Sequence, residues 1–183
     1  PDVFIPSRLF LYYNERAMEG HTSSDTGAAV RDGMKSMNAS GMCDEKNWVY
    51  DISKFTEKPP QSCYDFAKNH KSIKYQRVLQ RELQMKAALA SGYPIVFGFT
   101  VYQSFEGEDV AKTGIVPMPA KDERTLGGHC VLMVGYDDDK KQFIVQNSWG
   151  EEWGDKGFCY FPYAFLTNAN LASDFWTMEK VDV

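Results

Sequence analysis

The sequence predicts an α+β fold, with helices first and an antiparallel sheet after them. Two observations carry this. Up to residue 92, apolar residues recur at helical spacing. From residue 93 on, short runs rich in Val, Ile and Phe are separated by turn signals, as in "YPIVFGFTVYQSF", "HCVLMVGYD" and "KQFIVQNSW". The 183 residues suffice for one domain with a sizeable core. The expectation is therefore a single domain, residues 1–183, mainly helical over 1–92 and mainly β over 93–183.

The elements follow in order. "PSRLFLYYNERAM" reads as a short helix opened by Pro6 or Ser7. "SDTGAAVRDGMKSMNASG" reads as a second, with Asp25 or Thr26 as its cap, Gly41 just past its end, and Val30, Met34 and Met37 on one face. "GMCDEKNWVYD" and "TEKPPQSCYD" read as loops, the second broken by Pro59 and Pro60. Residues 77–91 read as an amphipathic helix with Val78, Leu79, Leu83, Ala87 and Ala90 inward and Gly92 as its stop. Strands then begin near residues 93, 129 and 141, with "DDDKK" as the turn between the last two. "KGFCYFPY" and "DFWTMEKVDV" read as two more strands, and residues 103–127 as a long loop.

Composition excludes several classes. Hydrophobic residues make up 43% and charged residues 25%, and the net charge is -5. No basic run interleaves with aromatics, so no nucleic-acid partner is expected. No apolar stretch reaches the length of a membrane span. The four cysteines, Cys43, Cys63, Cys130 and Cys159, form no Cys-x-x-Cys pair. No metal is expected, and most of the thiols are expected to be reduced and buried.

The chemistry concentrates in "LGGHCVLMVGYDDDKKQFIVQNSWGEEWGDKGF", residues 126–158. If "DDDKK" closes a hairpin, the start of one strand lies beside the end of the next, and His129 meets Asn147. An amide oxygen on an imidazole N–H fixes the ring's tautomer and orientation, leaving the other nitrogen for a nucleophile. Gly127 and Gly128 leave open backbone before the histidine, and Trp149 is placed to cover the His–Asn bond. A lone histidine beside a strand is usually structural, and Asn-Ser-Trp-Gly alone can be a turn. The joint pattern, Gly-His, an apolar strand ending in Gly-Tyr, then Asn-Ser-Trp-Gly-x-x-Trp-Gly-x-x-Gly, is far more specific.

Residues 127–161 resemble the histidine–asparagine half of the papain-like cysteine peptidases. "GMCDEKNWVYD" is similar to that family's Gly-x-Cys-x-Glu-x-x-x-Pro-Tyr segment, with Val49 in place of the proline. "SGYPIVFGFTVYQSF" resembles its Gly-Pro-then-strand element. "PSRLFLYYNERAMEG" and "NLASDFWTM" resemble a divergent branch found in microbes and viruses. The resemblance implies a two-lobe fold, a helical lobe followed by an antiparallel barrel-like sheet lobe with the cleft between them. It implies hydrolysis of peptide or protein substrates through an acyl-enzyme, without metal or cofactor. His129 would be the base and Asn147 its orienter. Trp149 would shield their bond, Trp153 would lie near the leaving-group side, Gly128 would support the site, and Gly127 and Cys130 would line the substrate pocket.

The family's nucleophile is a cysteine in a Cys-Gly-Ser-Cys-Trp type motif, about 130–150 residues before the histidine and asparagine. No such motif lies in residues 1–183, nor does the glutamine that precedes it. Counting back from His129 places the nucleophile just upstream of Pro1, in a segment or chain that would complete the site. Cys130 adjoins His129, but neighbours on a strand point to opposite faces. Three readings follow: a peptidase completed by that segment, a pseudo-peptidase acting as a binding module, or a structural component on the same fold. The first is preferred, because a drifting pseudo-enzyme has no chemical reason to keep both His129 and Asn147. The chain alone is expected to be inactive.

Overall fold

Helix α1, Arg8–Glu19, begins where the sequence offers a serine. The Ser7 hydroxyl accepts the Phe10 N–H at 3.2 Å and donates to the Trp48 carbonyl at 2.6 Å. Gly20 ends the helix at φ 79, where its N–H returns to the Arg16 carbonyl. The structure, a computed structural model, describes residues 4–181. The chain forms two units, one running up to Gln76 and including the end of the last strand from Met178, the other spanning Arg77–Thr177.

The first unit contains α1, α2 (Val30–Ala39), α3 (Gln61–Ala67) and most of strand β1 (Ser72–Arg77). α2 has no side-chain cap. Asp25 instead accepts a hydrogen bond from the Tyr12 hydroxyl, so the carboxylate expected as a cap pins the loop to α1. Among its three expected inward residues only Met34 is fully buried. α3 replaces the expected loop: Pro60 stands at its N-cap, where its fixed φ starts a helix and does not break one. Arg16 is wholly buried and donates to the carbonyls of Tyr12, Thr22, Ser24 and Phe55. It thereby ties together the loops at either end of the unit's first half. Phe10, Cys43, Cys63 and Ala67 form the small core, with Trp48 and Tyr64 packed on it.

The second unit holds α4 (Glu82–Ala90), β2 (Ile95–Tyr102), α5 (Glu108–Thr113), β3 (Thr125–Asp137), β4 (Gln142–Gln146), β5 (Phe158–Pro162), α6 (Tyr163–Leu166) and most of β6 (Ala172–Val181). The helix expected over 77–91 starts at Glu82, because Ser72–Arg77 is a strand. Its inward face is correspondingly different. Met85 is buried with Ala88 and Leu89 against the core, while Leu79 and Leu83 are exposed. Gly92, at φ 83, ends it as expected. The long loop over 103–127 carries α5, closed by Gly114 at φ 71. The final strand covers its expected segment, apart from residues 182–183, which lie outside the described residues.

The strands form one sheet in the order β1-β6-β2-β3-β4-β5. β2 alternates strictly between buried and half-buried residues, with Ile95, Phe97, Phe99 and Val101 turned to the core. Phe97, Phe99, Met133, Phe143, Val145, Cys159 and Phe161 are its centre. The sheet is open, which corrects the barrel-like closure the resemblance implied. β1 and β5 are its edges, and the outer edge of β5 is taken up by a connecting segment. The Tyr160 N–H donates to the Gly114 carbonyl at 2.8 Å, and the Val116 N–H donates to the Tyr160 carbonyl at 3.0 Å. An edge covered in this way needs no closure.

Candidate active site

The hairpin that places the site is the expected one. β3 and β4 pair antiparallel, with Leu132 opposite Gln146 and Asp137 opposite Gln142. Lys141 turns the chain at φ 53. A bulge between Met133 and Gly135 adds one residue to β3 and strengthens its local twist. His129 thus stands three residues before Leu132, and Asn147 one residue past the end of β4.

The two side chains meet. His129 Nε2 lies 2.8 Å from Asn147 Oδ1, and the Ser148 N–H donates to the same oxygen at 2.8 Å. A backbone N–H only donates, so the shared atom is the amide oxygen. His129 Nε2 must then carry the proton, and Nδ1 of the neutral ring keeps its lone pair. No hydrogen bond reaches Nδ1 among the described residues. The Asn147 N–H is tied to the Gly157 carbonyl at 2.9 Å, and its side chain is buried. The Asn147 Nδ2 atom is buried with no hydrogen-bond partner among the described residues.

Aromatic rings hold the imidazole. Trp149 stacks on it, centroids 5.1 Å apart and planes 25° apart, although the indole itself is exposed. Phe99, its pairing partner on β2, presents a ring edge at 5.8 Å. Trp153 meets Trp149 edge-on at 5.2 Å, and Phe105 touches both tryptophans at 5.4 Å. Phe99, Phe105 and Ser148 were missed in the sequence. Phe105 falls in the stretch read as loop. Its signal was an aromatic immediately after a buried strand, in "VYQSF".

Gly127 and Gly128 pair with Val101 and Thr100 of β2. A Cβ at Gly127 would meet nothing, and one at Gly128 only the Phe99 carbonyl at 3.9 Å. Space therefore does not demand either glycine, but the φ of 150 at Gly127 does. Cys130 pairs with Gly98 and is exposed; strand alternation sets it on the opposite face from His129. The other three thiols are buried. Burial pushes the Cys159 thiol up to about 12, and burial beside the Cys63 thiol pushes Cys43 up to about 12. Neither is a thiolate at neutral pH. Among the described residues no group of three or more His, Cys, Asp or Glu side chains is placed to hold a metal ion. Among them, too, no helix is long and apolar enough to cross a membrane.

A histidine on one strand thus meets an asparagine after the next, with a tryptophan stacked on its ring. Comparison with known proteins agrees in family. Residues 19–175 match the papain family cysteine protease model, and the chain belongs to that family. It is 49% identical over 188 positions to a peptidase C1-like protein of Acanthamoeba polyphaga mimivirus, covering 98% of this chain and 60% of the viral one. The chain thus spans less than two thirds of that relative. It is 42% identical to xylellain, a cysteine protease from Xylella fastidiosa, with a TM-score of 0.91 over 98% of this chain and 72% of that one. A Carica candamarcensis cysteine protease shares the fold at 17% identity, with a TM-score of 0.68 over 98% and 79% of the two chains.

Proposed function

We propose that the chain supplies the histidine–asparagine half of a cysteine peptidase that cleaves peptide bonds in peptide or protein substrates. The observation that carries this reading is the His129 Nε2–Asn147 Oδ1 bond with Nδ1 left unbonded. His129 Nδ1 takes the proton of a cysteine thiol, giving a thiolate and an imidazolium. The thiolate attacks the scissile carbonyl carbon. The imidazolium then gives its proton to the departing amine nitrogen, leaving a thioester. Water enters, His129 takes its proton, and the acid product leaves with the thiolate restored. Asn147 keeps the ring in the tautomer each step needs, and Trp149 shields that bond from water. Trp153 stands toward the leaving-group side, and Gly127, Gly128 and Cys130 border the substrate.

The thiolate itself comes from outside residues 1–183. The burial of Cys43, Cys63 and Cys159, and the opposite-face position of Cys130, support this. The test is hydrolysis of a fluorogenic dipeptide amide by the 183-residue chain and by the same protein carrying its natural upstream residues. Turnover is expected only from the second, with block by a thiol-reactive epoxide. Turnover by the short chain, blocked by the same epoxide, would defeat the assignment. Absence of turnover by both would favour a pseudo-peptidase that binds peptide without cleaving it.

A further inference from the structure

Outside this site, two thiols share one core. Cys43 follows the Gly41 turn, and Cys63 sits in α3. Both are fully buried in the cluster with Phe10 and Ala67. Burial, and the Cys63 thiol close enough to act with it, push the Cys43 thiol up to about 12. Their hydrogen-bond acceptors are weak: the Asp44 carbonyl at 3.5 Å for Cys43 and the Asn47 carbonyl at 3.7 Å for Cys63. The chain between them, residues 44–62, is held by polar ties from α1 and the segment before it, Ser7 to the Trp48 carbonyl, Arg8 to Glu45 and Arg16 to the Phe55 carbonyl, with little apolar burial of its own. Val49, Tyr50 and Ile52 are exposed, and its regular structure is one short turn of 3-10 helix and the start of α3. Trp48 is its main apolar anchor.

We propose that Cys43 and Cys63 are a redox pair that closes to a disulfide, clamping the base of the 44–62 loop. The oxidant is a low-molecular-weight disulfide such as oxidised glutathione. One protein thiolate attacks a sulfur of that disulfide, releasing one glutathione thiol and forming a mixed disulfide. The second protein thiolate attacks the protein-side sulfur, releasing the second glutathione thiol. Two protein thiols are oxidised, one small disulfide is reduced to two thiols, and both protons pass to the glutathione. Full burial makes the folded pair slow to exchange, so closure proceeds through folding or local opening and is faster in mild denaturant. The clamp acts on stability and not on the nucleophile of the proposed reaction.

The test equilibrates the protein in dithiothreitol or in oxidised glutathione with mild denaturant. It is then quenched in acid, alkylated unfolded, and mapped after trypsin, which cuts at Lys46 and Lys54 inside the loop. The oxidised sample is expected to yield the Cys43 and Cys63 peptides joined and unalkylated, with the melting temperature raised on the order of 10 °C. The reduced sample should yield both peptides separate and alkylated. A Cys63→Ala variant should leave Cys43 alkylated under both conditions. If that variant does not fold, the wild-type map decides alone. Alkylation of both peptides after oxidised glutathione, or linkage of either one to Cys130 or Cys159, would overturn the proposal.

Discussion

Replacing Asn147 by Ala separates orientation from stability. Two hydrogen bonds end on Asn147 Oδ1, from His129 Nε2 and from the Ser148 N–H, each at 2.8 Å. Their loss costs about 1 kcal/mol apiece. The same substitution removes Nδ2, a buried donor with no partner among the described residues, whose burial costs about 1–3 kcal/mol. The two contributions oppose each other and nearly cancel. The melting temperature should therefore stay within about 5 °C of wild type. Catalysis has no such compensation. A bias of about 1 kcal/mol toward the Nε2–H tautomer corresponds to roughly fivefold in population, and losing the ring's orientation adds to it. In protein that carries the nucleophile, kcat should fall about tenfold with KM little changed, because the ring acts in the transition state. Steady-state kinetics on a peptide amide and a thermal melt measure the two effects. A drop as deep as that of His129→Ala, or a melting temperature lowered by more than about 10 °C, would refute the reasoning.

His129→Ala should lower kcat/KM by about 10²–10⁴-fold, and the rate of the unaltered enzyme should show acid and basic limbs against pH; a profile without a basic limb would remove the imidazolium from the mechanism. Cys130→Ser should keep turnover and change preference among substrates, because the thiol faces away from His129; complete loss in folded protein would make it the nucleophile. Arg16→Met leaves four carbonyls without their donor and should destabilise by about 4 kcal/mol or more, read as the midpoint of urea unfolding. Glu15, held among Glu19 and Asp32, has its carboxyl pushed up to about 7, chiefly by burial. The folded state then binds more protons than the unfolded one between about 4.5 and about 7, so this group's contribution is present at low pH and declines as pH rises through that window. Glu15→Gln should flatten that decline, and an unchanged stability–pH slope in the variant would count against the assignment.

The strands of the second unit were legible because buried strands are short runs rich in Val, Ile and Phe bounded by turn residues. β2 reads "IVFGFTVY", and its buried positions fall on every second residue. The helical half was less so. The apolar spacing of Val78, Leu79 and Leu83 started the expected helix at residue 77, ahead of its true start at Glu82, and the preceding "SIKYQR", with only Ile73 and Tyr75 alternating with polar residues, was too short a run to be read as a strand. Asp25 failed as a cap for a related reason. A carboxylate before a helix satisfies either the helix N–H groups or a hydroxyl elsewhere, and only the fold brings Tyr12 to it. That the barrel-like sheet stays open was not legible, because the length of the loop before β3 does not reveal that its Gly114–Val116 stretch lies along β5.

The meeting of His129 and Asn147 was legible for a physical reason of its own. His129 and Asn147 belong to adjacent strands joined by a tight turn, so their meeting depends on local hairpin register. Short-range geometry of this kind is encoded within a few dozen residues, and the whole constellation from Phe99 to Trp153 lies in one unit. The Ser148 N–H then decides which end of the amide faces the ring, and with it which imidazole nitrogen is left for the thiol. The histidine's tautomer is therefore set by the chain's own backbone before any nucleophile arrives. A ring held this way is preorganised, and in the proposed reaction the thiol has to meet only one unbonded nitrogen, Nδ1 of His129.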